Sequence, residues 1–106
     1  MNAERSNHWR EHRKATREAR ERWAWLWRQV RVPALDRVVI LATPAFARNP
    51  QDTGNSYPSV KPAVDALVDL GVLPKDTGRH VLAVAMLAPV KAPDGLTVSV
   101  LEVPDA

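Results

Sequence analysis

Cysteine is absent from this 106-residue chain, which excludes disulfide staples and thiolate chemistry and fits a reducing cytoplasm. No apolar run is long enough to span a bilayer, and the polar, charged first residues do not read as a signal peptide. Together these absences lead to the expectation of a cytoplasmic protein. Glycine is modest, with four residues, and there is neither a phosphate-binding Gly-rich loop nor a dinucleotide fingerprint. His8, His12 and His80 are too scattered for a zinc site. His80 opens a strand close in sequence to Asp76, but a surface or satisfied histidine is the expected role. No Ser/His/Asp arrangement for nucleophilic catalysis is visible.

What is present is a globular composition, rich in aliphatic residues, with four Trp making up most of the aromatics. The length suits one domain covering residues 1–106, near the lower end of what supports a sizeable core. A chain of this size often completes its core by dimerising, so a homodimer is expected. The net charge is +3, and its distribution is uneven. Residues 1–31 hold nine Arg and Lys against four Glu, while the remainder holds six basic and eight acidic residues. A basic segment followed by an acid-bearing body suits a protein that grips phosphates with one part and holds a metal with another. A solvated helix face with Glu/Arg pairs, such as Glu18 and Arg22 at i,i+4, is the plainer account.

Periodicity orders the chain as helix, strand, helix, strand, strand. The first helix is expected over about Asn7–Val30, uninterrupted until Pro33, with an apolar stripe of Ala15, Ala19, Trp23, Leu26, Trp27 and Val30. Trp9 and Trp25 lie off or at the edge of that stripe. Leu35–Phe46 contains the β-branched run Val38-Val-Ile-Leu41 and is expected to be a strand. Ala47–Pro58 reads as a loop by composition. A second helix is expected over about Val60–Leu70, with Ser59 as N-cap, Pro62 in its first turn, Gly71 as its stop, and an apolar face of Val60, Val64, Leu67 and Val68. His80–Leu87 reads as a strand, Pro89–Gly95 as a hairpin loop, and the alternating Leu96–Val103 as a final antiparallel strand. The expected class is α+β: a small mixed or antiparallel sheet packed with two helices.

The chemistry-bearing residues gather around the second helix. Lys61, Asp65 and Asp69 recur at i, i+4, i+8 and share one face. Lys61 falls in the first turn, where the helix macrodipole disfavours a cation unless an anion or carboxylates lie nearby. The preceding loop supplies Asp52 and Asn55, and the following turn supplies Asp76. If the helix N-terminus faces that turn, Asp52, Lys61, Asp65 and Asp76 converge. Such a group suits Mg²⁺, which takes one or two carboxylates and keeps several waters. A metal of this kind can activate water for attack on phosphate, with the lysine offsetting transition-state charge. Spacing alone leaves a second account open, in which Asp52 and Asp76 are turn residues and Asp65 and Asp69 solvate a helix.

The run from Asp52 through Asn55, Lys61, Asp65 with Leu67, and Gly71 to Asp76 resembles the central motif of the RusA family of Holliday junction resolvases. That family pattern is Asp-x-Asp-Asn, a lysine, Asp-x-Leu four residues on, a glycine, and an Asp-Asp pair. Asn2, Arg5, His8-Trp9 and the Arg-rich helix are similar to the N-terminal entry of actinobacterial and phage relatives. The resemblance thus covers most of the chain. It implies a homodimeric, Mg²⁺-dependent endonuclease of the bacterial or phage-infected cytoplasm that binds four-way DNA junctions and nicks two strands. By motif position Asp52 and Asp76 would ligate the metal, Lys61 would join them as the catalytic lysine, and Asn55 and Asp65 would support the site. Arg10, Arg13 and Arg17 of the basic helix, with Arg48, would contact phosphates, which position rather than specify.

Two family acids are replaced. The second acid of Asp-x-Asp-Asn falls at Gly54, and the first of the Asp-Asp pair falls at Lys75. Mg²⁺ tolerates water-rich coordination, so these departures leave cleavage possible. They also open two alternatives: a junction-binding dimer with a weakened or inactive site, and a non-enzymatic small α+β dimer.

Overall fold

The computed structural model describes residues 3–48 and 59–104. Helix α1 (Ala3–Val30) is followed by strand β1 (Val38–Phe46), helix α2 (Lys61–Asp69), and strands β2 (Val81–Met86), β3 (Val90–Lys91) and β4 (Gly95–Glu102). The expected α+β architecture of two helices on a small mixed sheet is found, with β3 as an additional strand. No described helix is long and apolar enough to cross a membrane.

β1 is the central strand. Its alternation sends Val38, Ile40, Ala42 and Pro44 into the core and leaves Val39, Leu41, Thr43 and Ala45 half-buried on the opposite face. β2 pairs parallel along one edge, with Ile40 opposite Val84, and β4 pairs antiparallel along the other, with Ile40 opposite Val100. The segment Pro89–Gly95 is not a simple hairpin, because β2 and β4 lie on opposite edges of β1. Within it β3 pairs parallel with Ala45 and Phe46, prolonging the β2 edge. A chemical reason for the break between β2 and β3 lies in Pro44. The Leu87 amide donates to the Ala42 carbonyl at 2.8 Å. In a parallel ladder the amide at position 44 is the next donor, and proline has none. The chain then crosses the end of β1, where the Asp94 carboxylate accepts the Ala47 amide at 2.7 Å.

The core closes on the Val38/Ile40 face, to which α2 contributes a full face and α1 chiefly Trp27. Trp27 of α1, Ala63, Val64, Ala66 and Leu67 of α2, and Val72 and Leu73 beyond it close the core, with Val98 and Val100 of β4 against its edge. The Trp27 indole N–H donates to the Ala63 carbonyl at 3.0 Å, and Trp23 lies against Trp27 with ring centroids 5.8 Å apart. Leu26 and Val30, expected in the apolar stripe, are 46% and 66% exposed. The buried arc of α1 is narrow because the helix docks mainly on a single helix, α2, through Trp23 and Trp27. Ala15 is exposed as well, since residues 10–18 project beyond the packed part of the domain.

The ends of α2 differ slightly from expectation. Val60, in αR conformation and without a side-chain cap, is the N-cap residue, and Ser59 Oγ accepts the Lys61 amide at 3.2 Å instead. Pro62 does lie in the first turn. Gly71 adopts φ 75°, a conformation glycine reaches without Cβ strain, and redirects the chain so that Val72 and Leu73 return to the core. The Leu35 amide then donates to the Val72 carbonyl at 2.7 Å, tying the approach to β1 to the turn after α2.

Candidate active site

The first turns of α2 and the turn after it meet at one point. Lys61 Nζ lies 3.5 Å from Asp65 Oδ1, one helical turn on, and 3.9 Å from Asp76 Oδ2. The Lys61 side chain is 72% exposed and that of Asp65 15%. This placement answers the electrostatic problem of a lysine at a helix N-terminus: two carboxylates offset the unfavourable dipole. It follows from the glycine at position 71, which folds the post-helix turn back along α2 so that Asp76 faces the start of the helix rather than its end.

Asp69, on the same helix face, does not join this group. Its carboxylate is gripped by Arg20 of α1 through both Nε and Nη2. The Arg20 hydrogen bonds hold the Asp69 carboxyl below its usual range, and the Asp69 carboxylate in turn raises Arg20. Asp65 and Asp76 also bear on Arg20, more weakly and in that order. The ion pair thus latches α1 to α2 beside the Lys61 cluster. Spacing placed Asp69 on the shared face but held no sign of its partner, 49 residues earlier in the chain.

Of the expected site residues, the structure brings together Lys61, Asp65 and Asp76. Asp52 and Asn55 lie outside the described residues, as does Gly54. Lys75 is exposed beside Asp76, and Arg48 is exposed just beyond β1. Arg10, Arg13 and Arg17 are exposed on the projecting part of α1. His80 does not reach Asp76 in any recorded contact: its Nδ1–H donates to the Asp36 carbonyl at 2.8 Å and lies 3.2 Å from Asp36 Oδ1. It is the satisfied histidine expected.

Among the described residues no three His or acidic side chains cluster closely enough to hold a metal ion. The donors that do converge are two hard carboxylates, Asp65 and Asp76, both within ion-pair distance of one ammonium group. Asp65 and Asp76 are hard carboxylate donors of the kind Mg²⁺ accepts, and the cation they share in this structure is the Lys61 ammonium. Comparison with protein-family models, with curated proteins and with solved structures found no match for this chain.

Proposed function

We propose that this chain is a RusA-like, Mg²⁺-dependent endonuclease that acts on four-way or otherwise branched DNA as a homodimer. The observation that carries this is the convergence of Lys61, Asp65 and Asp76, three residues of the motif, at one exposed point beside an arginine-rich helix. Bound Mg²⁺ would polarise the scissile phosphate and lower the pKa of its water. Asp76 and Asp65 supply the negative charge that draws a hard cation to this point, with Asp52 as a further ligand by motif position. Lys61, largely exposed, provides a charge for a phosphate oxygen once its carboxylates are otherwise engaged. Asp65, the least exposed of the group, orients Lys61 from one turn along α2. The arginines of α1 and Arg48 bear on the backbone.

The homodimer draws support from the outer edge of the sheet. Leu82, Val84, Met86, Leu87 and Val90 are exposed along β2 and β3, a run without a charged residue between Val81 and Val90. Edge strands in stable monomers are commonly guarded by charge or proline, and here Pro89 and Lys91 do so only at the far end of the run.

A second account, junction binding without cleavage, is favoured by the lysine already neutralising Asp65 and Asp76 and by Lys75, which adds positive charge next to Asp76. Nicking of a four-way junction with and without Mg²⁺, with Asp76→Asn as comparison, separates the two. Mg²⁺-dependent nicking abolished by Asp76→Asn supports the enzyme. Binding with no nicking by the wild type leaves the non-cleaving account. If a junction is bound no better than a linear duplex, both fall.

A further inference from the structure

Asp76 stands midway along residues 72–80, and both ends of this segment are tied to the lead-in of β1. At the near end the Leu35 amide donates to the Val72 carbonyl at 2.7 Å, and the buried side chains of Val72 and Leu73 add packing. The far end has no such packing, since Thr77, Gly78 and Arg79 are exposed. Hydrogen bonds hold it instead. The Val38 amide donates to the His80 carbonyl at 2.8 Å, and the His80 ring donates from Nδ1–H to the Asp36 carbonyl at 2.8 Å. His80 thus grips the lead-in on either side of Arg37, through its backbone and through its side chain. A carbonyl only accepts, so this bond fixes the proton on Nδ1, and the ring, 13% exposed, is held in one orientation by it.

The grip reaches Asp76 through the backbone. The amides of His80 and Val81 both return to the Thr77 carbonyl at 2.9 Å, so the turn winds from His80 directly to the residue after Asp76. The Asp76 side chain is 50% exposed and meets Lys61 at 3.9 Å, so the path of the turn sets where its carboxylate lies.

We infer that His80 is a positioning residue for Asp76: its Nδ1–H bond to the Asp36 carbonyl pins the outer end of the turn and so holds the Asp76 carboxylate against Lys61. This role rests on the reading of Lys61, Asp65 and Asp76 as one site, and His80 acts on that site through the backbone.

The test compares the wild type with His80→Leu, His80→Asn and Val98→Ala. Leucine keeps a branched side chain and has no donor. Asparagine sets an amide N–H at the same number of bonds from Cα as Nδ1 and restores it. Val98→Ala lowers stability from β4, on the other edge of β1 from β2, and controls for general loosening. Mn²⁺ alone is titrated while its broadening of the Asp76 amide signal is followed by NMR, and urea unfolding gives the stability of each variant. His80→Leu is expected to need about tenfold more Mn²⁺ for half-broadening, the lower end of what losing an outer support of a metal ligand costs. His80→Asn and Val98→Ala are expected to match the wild type. In junction nicking, His80→Leu should raise the half-saturating Mg²⁺ concentration by the same factor and keep the rate at saturating Mg²⁺. If His80→Leu does not fold, His80→Gln, whose amide lies one bond further out, takes its place with the same expected shift. An unchanged Mn²⁺ response in the folded donor-less variant overturns the role. Equal shifts in it and His80→Asn overturn it in favour of ring packing, and equal shifts in it and Val98→Ala overturn it in favour of general stability. If the wild type nicks and the donor-less variant has the same Mg²⁺ dependence, the positioning role falls and the proposed function stands. If the Mn²⁺ shifts are as expected and no protein nicks, the role stands and cleavage falls. A wild-type Asp76 signal that Mn²⁺ leaves untouched overturns both.

Discussion

Replacing Trp27 by Phe tests how α1 is held against the candidate site. The indole is 7% exposed and its N–H donates to the carbonyl of Ala63, two residues along α2 from Lys61. Phenylalanine keeps much of the apolar area but removes the donor and leaves a small void. The Ala63 carbonyl retains its helical partner, so losing the indole bond costs about 1 kcal/mol. The smaller ring forfeits contact and leaves space, adding about 1–2 kcal/mol. The expected destabilisation is about 2–3 kcal/mol. For a chain of 106 residues the unfolding entropy is roughly 0.22 kcal/mol/K, so the melting temperature should drop by about 9–14 °C. Thermal and urea unfolding followed by circular dichroism read this directly. Trp25→Phe, at a position 59% exposed, is the control and should stay within about 0.5 kcal/mol of the wild type. If the two variants are equally stable, α1 is not docked on α2 through Trp27.

Other outcomes follow from the same structure. Asp69→Asn should destabilise the protein modestly, by about 0.2–1 kcal/mol at neutral pH, because the pair with Arg20 is partly exposed. Since folding lowers the Asp69 pKa, that stabilisation is present above the unfolded value near 4 and is lost as pH falls through the folded value. Urea midpoints of wild type and variant should therefore converge in acid, and a gap that widens there would contradict the latch. Gly71→Ala should cost about 1–2 kcal/mol from its φ of 75° alone, since nothing lies within 4 Å of the added Cβ. Gly78→Ala, in equally open space without a positive φ, should be nearly neutral in the same urea titration. Asp94→Ala removes the acceptor for the Ala47 amide and should cost about 0.5–1.5 kcal/mol, with faster hydrogen exchange at Ala47.

How far the sequence revealed this molecule depends on the range of the physics involved. The Val38–Leu41 run, the alternation of Leu96, Val98 and Val100, and the stop at Gly71 are local signals, and each matches an element of the fold. Strand β3 has two residues and exists because the longer β1 offers an edge beyond Pro44, which no local pattern announces. Leu26 and Val30 obey the helical period yet face outward, because periodicity gives a stripe but not the width of the surface it meets. Around the candidate site, Lys61 and Asp65 were paired by i,i+4 spacing and Asp76 by motif order. The Arg20–Asp69 latch depends on tertiary docking and had no counterpart in spacing. Among several exposed arginines, the one that acts as joint is distinguished only by what stands opposite it.

The most direct test of the central claim is a gel assay of paired nicking on a synthetic four-way junction, run with Mg²⁺ for the wild type, Asp76→Asn and Lys61→Met. The account predicts nicking by the wild type that needs Mg²⁺ and falls by at least about a hundredfold in each variant, with junction binding kept in Asp76→Asn. Nicking that persists unchanged in both variants, or a wild type that binds the junction and never cuts it, would contradict the claim that Lys61, Asp65 and Asp76 form a catalytic centre.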